Sequence, residues 1–237
     1  MPLIKLEGIR KIYNNGEDNR VVALDDVDLQ IENGEFVAIM GPSGSGKSTL
    51  MHVLGFLDKA DRGKYFFEGR NIVGLSDDDL ASIRNEKVGF VFQAFNLLPR
   101  TSALDNVILP MLYGSKIAAD KMRSRALQML KQVDLESRAN HHPSELSGGQ
   151  QQRVAIARAL INNPAVIFAD EPTGNLDTKS SDEVMRIFKE LNDNGRTLIF
   201  VTHEEEIAAY AKRIIRLKDG RIISDQLNGH RHHNLTS

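Results

Sequence analysis

The sequence predicts an α/β fold with a mostly parallel sheet, an antiparallel β subdomain and an inserted α-helical subdomain. Three observations predict it. Continuous apolar runs are typical of strands buried on both faces of a parallel sheet. Alternation of apolar and polar residues near the N-terminus is typical of strands with one face in solvent. From about residue 94 to residue 163, strand-like runs give way to helical spacing.

The alternating segments come first, at residues 3–12 and 21–31. NNGEDN at 14–19 lies between them and has the composition of a turn. We therefore expect the two segments to pair as antiparallel strands.

Buried parallel strands are expected from FVAIM at 36–40, VGFVF at 88–92, AVIFA at 165–169 and LIFVT at 198–202. Each run is followed by a candidate functional residue, namely Gly41, Gln93, Asp170 and His203. Ligands of open α/β sheets bind beyond the carboxyl ends of the strands, so these residues are expected on one functional edge.

Helices are expected where apolar residues recur at helical spacing. One contains Met122, Ala126, Met129, Leu130 and Val133; another contains Val184, Ile187, Phe188 and Leu191. A third is expected from about Gln150 to Leu160.

A single domain is expected over residues 1–225, with an α/β core at about 1–93 and 164–225 and a helical subdomain at about 94–163. The tail at 226–237 lacks periodicity, and we expect it to be disordered.

Composition narrows the class of protein. The formal net charge is −2, which argues against a nucleic-acid partner. There is no cysteine, so no disulfide framework exists. The N-terminus lacks the apolar core of a signal peptide, and the apolar runs fall far short of the roughly 20 residues that span a bilayer. We expect a chain that is soluble by itself and reaches a membrane only through a partner.

GPSGSGKS at 41–48 matches the phosphate-loop pattern between a buried strand and a helix. The glycines let backbone N–H groups close around phosphates, Lys47 reaches the β- and γ-phosphates, and the Ser48 hydroxyl can ligate Mg²⁺. The pattern predicts a P-loop NTPase core; the alternative is a tight strand–helix turn. The expected nucleotide contacts here are Gly41, Ser43, Gly44, Gly46, Lys47, Ser48 and Thr49.

Asp170 and Glu171 follow the third buried run in AVIFADEP. A carboxylate at a buried strand end is costly unless it is paired or near a metal, so Asp170 is a candidate to hold Mg²⁺ through water. Glu171 could orient or deprotonate an attacking water. The alternative is a helix-capping pair, since Pro172 and Thr173 come next.

Three further side chains have a functional and a structural interpretation. His203 could contact a γ-phosphate or the attacking water, and Gln93 could act at the same edge; either could instead be structural. Their shared edge with Asp170 favours function. Tyr13 could stack on adenine, or it could simply be an amphipathic strand residue. The tail histidines lack the partners of a defined metal site.

ELSGGQQQRVAIARAL at 145–160 contains a second glycine turn before a predicted helix. Free N–H groups and the helix dipole there would favour an anion. One small chain thus carries two predicted anion cradles.

In order, GPSGSGKST, Gln93, LSGGQ, IFADEP, GNLD at 174–177 and His203 resemble the nucleotide-binding subunit of ATP-binding-cassette transporters. The resemblance covers Tyr13 to about Gly220. FNLLPRTSALDNVILPMLYG and QQQRVAIARALINNP resemble the macrolide-exporter and lipoprotein-release subgroup. GNLD replaces the commoner SALD.

The resemblance implies an ATPase that binds ATP and Mg²⁺ as a head-to-tail dimer. Each ATP would lie between the phosphate loop of one copy and LSGGQ of the other. The implied catalytic residues are Glu171, His203, Gln93 and Lys47. The implied metal ligands are Ser48, Gln93 and Asp170. Further nucleotide or interface contacts would be Tyr13, Ser147, Gly148, Gly149, Gln150 and Asp177.

It also implies a separate transmembrane permease at the cytoplasmic face of the inner or plasma membrane, with a periplasmic-adaptor-like partner as a further possibility. The cargo would be an amphiphilic peptide, drug or lipoprotein. The alternative is a regulatory ATPase of the cell-division type, which signals across the membrane and moves no solute.

Overall fold

Two sheets and the helices around them make up the fold. The computed structural model describes residues 1–14, 20–114 and 118–229. The strands are β1 (Ile4–Asn14), β2 (Arg20–Ile31), β3 (Phe36–Met40), β4 (Arg62–Phe67), β5 (Arg70–Asn71), β6 (Val88–Phe92), β7 (Val166–Asp170), β8 (Thr197–Val201), β9 (Arg213–Lys218) and β10 (Arg221–Leu227). The α-helices are α1 (Lys47–Leu54), α2 (Asp77–Lys87), α3 (Ala103–Ile108), α4 (Ala119–Gln132), α5 (Gly148–Leu160), α6 (Thr178–Asp193) and α7 (Glu205–Ala208).

The larger sheet has the strand order β10-β9-β3-β8-β7-β6. All pairs are parallel except β9 with β10. Every residue of β3 and of β8 is buried, as continuous apolar runs require in a sheet covered on both faces. The predicted parallel sheet is therefore confirmed.

The smaller sheet is antiparallel, in the order β2-β1-β4-β5. Strands β1 and β2 pair from Ile4 opposite Ile31 to Asn14 opposite Arg20, so the two alternating segments pair as predicted. Tyr13 lies near the C-terminal end of β1, next to the cavity described below.

The helical segment lies between β6 and β7 in the chain, and α3, α4 and α5 pack together there. Ala126 and Leu130 of α4 are buried, as their spacing predicts. Helix α5 begins at Gly148, two residues before the expected start at Gln150, because Ser147 caps it. Its buried face joins the helical segment to the sheet core.

The C-terminal strand β10 ends at Leu227, beyond the domain end expected at residue 225. The rest of the expected tail falls largely on residues 230–237, which lie outside the described residues. Within the described ranges, no helix combines the length and the apolar character that a membrane span requires.

Candidate functional site

One open cavity of about 810 Å³ lies at the carboxyl ends of β3, β7 and β8. Its lining residues are Tyr13, Val21, Val22, Ala23, residues 41–49, Asp170, Glu171, Val201 and His203. The structure thus brings together the whole phosphate-loop segment and most of the candidate catalytic residues. They come from both sheets, so neither sheet alone forms the site.

The loop after β3 needs glycine for two separate reasons. Gly41, Gly44 and Gly46 have φ of 155°, 76° and 100°, a region that side chains disfavour. A Cβ on Gly46 would also lie 2.4 Å from the carbonyl oxygen of Ala23. At Gly44, by contrast, a Cβ would meet no atom within 4 Å, so this backbone faces open space. The loop can therefore approach a ligand closely.

Helix α1 begins at Lys47 with no side-chain cap and no acidic residue in its first turn. Its first N–H groups are therefore left to donate hydrogen bonds to an anion such as a phosphate. The Lys47 ammonium donates to the carbonyl oxygens of Gly41 and Pro42, each at 2.8 Å. The ammonium is therefore held at the loop, beside the space a phosphate would fill.

Asp170 ends β7 at the edge of the cavity. Burial raises the pKa of Asp170 above its ordinary value and the neighbouring Glu171 charge adds to this, while His52 and Lys47 oppose it. A carboxylate in this state gains from a bound cation. Ser48 lines the same cavity, and hydroxyl and carboxylate oxygens are the ligands Mg²⁺ prefers. These residues fit a magnesium ion.

Glu171 has a φ of 43°, and its N–H donates to the Val201 carbonyl at 2.9 Å. This conformation directs its carboxylate to His203, whose Nδ1 lies 2.7 Å from Glu171 Oε1. Helix α6 is capped instead by Asp177, which accepts from Ser180 N at 2.9 Å. The alternative of Asp170 and Glu171 as a helix-capping pair is therefore wrong.

Gln93 follows β6 but does not line the cavity. A Cβ on Gly174 would lie 2.6 Å from Gln93 Nε2, so the side chain lies against that glycine. The backbone carbonyl oxygen of Gln93 accepts from Asn175 Nδ2 at 3.0 Å. The structure does not bring Gln93 to the residues that fit the metal.

The second glycine turn, which the sequence predicts to be an anion cradle, lies at the start of α5. Ser147 Oγ accepts from Gln150 N, and Ser147 N donates to Gln150 Oε1 at 3.0 Å. A Cβ on Gly149 would lie 2.7 Å from Ser180 Oγ, so α5 packs closely on the start of α6 that Asp177 caps. These residues do not line the phosphate-loop cavity.

A family model described as ABC transporter matches residues 24–174, which include the phosphate loop, the second cradle and Glu171. The chain belongs to the ABC transporter family.

This cassette is similar to proteins named macrolide export ATP-binding/permease protein MacB. The relative from Bdellovibrio bacteriovorus is 56% identical over 225 residues, covering 94% of this chain and 34% of the relative. The one from Chlorobium luteolum is 56% identical and covers 95% of this chain and 33% of the relative. The chain therefore spans about a third of the length of these relatives.

Two solved structures share the fold over 96% of this chain and 100% of theirs. One is a dimeric ATP-binding cassette in a post-hydrolysis state bound to ADP and Pi, with a TM-score of 0.87 and 46% identity. The other is a dimeric bacterial ABC transporter cassette, with a TM-score of 0.86 and 47% identity. The predicted fold class is confirmed.

Some contacts of Tyr13 and of the segment after β6 were not indicated by any sequence pattern. Tyr13 is held by Lys11 and Asp58, and the guanidinium of Arg158 donates to the carbonyl oxygens of Phe95 and Asn96. These contacts join residues far apart in the chain, and no local motif marks them. Phe95 and Asn96 also have positive φ, a feature that only the folded structure reveals.

Proposed function

We propose that this chain is the ATP-hydrolysing cassette of a membrane exporter. The observation that carries the proposal is the Glu171–His203 pair at the mouth of a cavity lined by a glycine-rich phosphate loop. A carboxylate oriented beside a phosphate-binding loop can accept a proton from an attacking water, which is the chemistry of nucleotide hydrolysis.

The residues have separate tasks in this proposal. The loop N–H groups and Lys47 bind the phosphates, Tyr13 contacts the base, and Ser48 and Asp170 hold Mg²⁺. Mg²⁺ held by these two residues would supply positive charge that neutralises the phosphates. Glu171 accepts the water proton, and His203, through Nδ1, fixes the carboxylate so that its other oxygen faces the water.

The second cradle supports a head-to-tail dimer of cassettes. Ser147, Gly148, Gly149 and Gln150 form a helix N-terminus that the chain's own cavity does not use. A partner copy could place its nucleotide there, with Asp177 at the same interface. A γ-phosphate would add charge-assisted hydrogen bonds that a diphosphate lacks, so hydrolysis would loosen the dimer.

We further propose that the cassette acts at the cytoplasmic face of the membrane with a permease. The names of its relatives, which join an ATP-binding part to a permease, support the permease partner. A groove of about 520 Å³ is lined by Leu57, Phe90, Phe92 and Tyr113, among others. Leu57 and Tyr113 are large apolar side chains left exposed, which suits a docking surface. The proposed cargo is amphiphilic, and a periplasmic-adaptor-like protein would be a further partner.

Phosphate release from MgATP tests the hydrolysis directly. The unaltered chain should release phosphate, and Lys47→Met should abolish both release and ATP binding. Lys59→Met is the matched control, because Lys59 pairs with Asp77 and does not line the cavity. Equal phosphate release from Lys47→Met would contradict the proposed site.

Capture from detergent-solubilised membranes tests the partner. Tagged Glu171→Gln protein held in MgATP should recover a transmembrane permease, identified by mass. Recovery of soluble or nucleic-acid-bound partners alone would contradict the transport role. Solute movement in vesicles would separate an exporter from the signalling alternative, which the relatives do not favour.

A further inference from the structure

A charged pair holds Tyr13 from two sides. The Tyr13 hydroxyl donates to Asp58 Oδ2 at 2.7 Å, and the Lys11 ammonium donates to Asp58 Oδ1 at 2.6 Å. The same ammonium lies 5.1 Å from the centroid of the Tyr13 ring, in cation–π contact. It also donates to the Lys59 carbonyl at 2.8 Å. Both the hydroxyl and one face of the ring are therefore engaged.

The Lys11–Asp58 pair places a charged ammonium in a buried position. Lys11 is only 8% exposed, and a buried ammonium is costly unless it is fully paired. Burial pushes the pKa of Asp58 up, but hydrogen bonds from Lys11 and Tyr13 outweigh this and leave the pKa below its ordinary value. Burial and the Asp58 contact raise the pKa of Tyr13, so the phenol remains a donor. Lys11 and Asp58 thus form a charged pair that holds the Tyr13 ring in one position.

Among the described residues that line the cavity, Tyr13 alone contributes a six-membered aromatic ring. We propose that Lys11 and Asp58 are positioning residues that fix the Tyr13 ring, with one face covered and the other free, to receive the nucleobase. This rests on the proposed ATP site. A ring fixed before binding loses less conformational freedom when the base arrives, so affinity for the base rises. The gain in affinity therefore comes from binding of the base and does not depend on the phosphates.

Comparing Mg-ADP with magnesium pyrophosphate by titration calorimetry isolates that gain, because pyrophosphate lacks the base and neither ligand is a substrate for hydrolysis. Asp58→Asn leaves one acceptor oxygen where the Tyr13 hydroxyl and the Lys11 ammonium each had their own, and Tyr13→Phe removes the hydroxyl but keeps the ring. Each should weaken ADP binding about three- to tenfold and leave pyrophosphate within about twofold. The double variant should bind ADP no more weakly than the weaker single variant.

Asp28→Asn is the matched control. Asp28 accepts from Gly8 N at 2.8 Å in the same sheet and has no contact of this kind with Tyr13. It should leave the ratio of ADP to pyrophosphate affinity unchanged. Tyr13→Ala should weaken ADP at least about fivefold through lost stacking.

The outcomes separate the two proposals. If Tyr13→Ala weakens ADP but Asp58→Asn and Tyr13→Phe do not, the positioning role is wrong and the nucleotide site stands. Equal weakening of ADP and pyrophosphate in Asp58→Asn and Tyr13→Phe would show general damage to the loop and overturn the positioning role. If the unaltered chain binds pyrophosphate but gains nothing from the base, the proposed ATP site itself is wrong.

Discussion

His203 Nδ1 lies 2.7 Å from Glu171 Oε1, across two neighbouring strand ends. The register of β7 and β8 sets this pair, because Asp170 lies opposite Val201 and the chain then places Glu171 and His203 just beyond. The hydrogen bond from Glu171 N to the Val201 carbonyl holds the turn at a positive φ. The strand pairing therefore builds the proposed catalytic pair.

Glu171→Gln should slow phosphate release by about 10²–10⁴-fold, because an amide cannot accept the water proton. ATP binding, measured by calorimetry, should stay within about threefold, since the phosphate loop is untouched. Glu190→Gln, at an exposed position on α6, is the control and should hydrolyse normally. Near-normal turnover in Glu171→Gln would remove Glu171 from the mechanism.

Asp170→Asn should raise the thermal midpoint of the nucleotide-free protein at pH 7. The pKa of Asp170 is raised in the fold by burial and then by Glu171, so the folded protein binds the extra proton just above the ordinary pKa. The free energy of unfolding then falls as the pH rises from the ordinary pKa of an aspartate to the raised pKa of Asp170. At pH 7 the carboxylate is charged, and its burial destabilises the folded protein.

The midpoint should shift by about 2–4 °C per kcal/mol recovered. The stabilisation that MgADP gives over ADP alone should disappear in the same variant, because a metal ligand is lost. An unchanged or lower midpoint in Asp170→Asn would contradict the cost assigned to burying this charged carboxylate. Asp78→Asn, at an exposed position on α2, serves as the surface control.

Gly148→Asp should block ATP-dependent dimerisation while leaving ATP binding intact. A Cβ on Gly148 would lie 3.4 Å from Leu176 Cδ2, an ordinary contact, so the fold tolerates a side chain there. The carboxylate would occupy and neutralise the anion cradle. Gly148→Ala, which adds only a methyl group, is the control. Dimerisation of Gly148→Asp at normal strength would exclude this cradle from the interface.

Arg158→Met should lower the free energy of unfolding by about 1–3 kcal/mol, measured in urea. The guanidinium is largely buried and donates to the carbonyl oxygens of Phe95 and Asn96, which would lose these partners. Both residues have positive φ, a conformation that costs free energy and that the two hydrogen bonds from Arg158 help to hold. Arg221→Met, which removes an exposed pair with Asp25, should cost less.

The buried strands and the phosphate-loop edge could be predicted from the sequence because apolar runs and glycine spacing are local signals. The strands β4, β9 and β10 were not predicted, since charged residues interrupt sequences such as RGKYFF and RIIRLK. They form because neighbouring strands need partners, a constraint set by the tertiary fold.

The position of a residue at a strand end was easier to predict than the direction of its side chain. Gln93 does follow β6, but it lies against Gly174, where the absence of a side chain leaves room. Tyr13 does line the cavity, but its hydroxyl donates to Asp58, a residue distant in the chain that no sequence motif links to Tyr13. Such contacts depend on packing between distant segments.

The most direct test of the central claim is the mass of Glu171→Gln protein by light scattering, with and without MgATP. We expect a species near 26.4 kDa without nucleotide and one of twice that mass in saturating MgATP. Adding Gly148→Asp should return the protein to the monomer. A 26.4 kDa species that persists in saturating MgATP, although calorimetry shows bound ATP, would contradict the proposal that two cradles share each nucleotide.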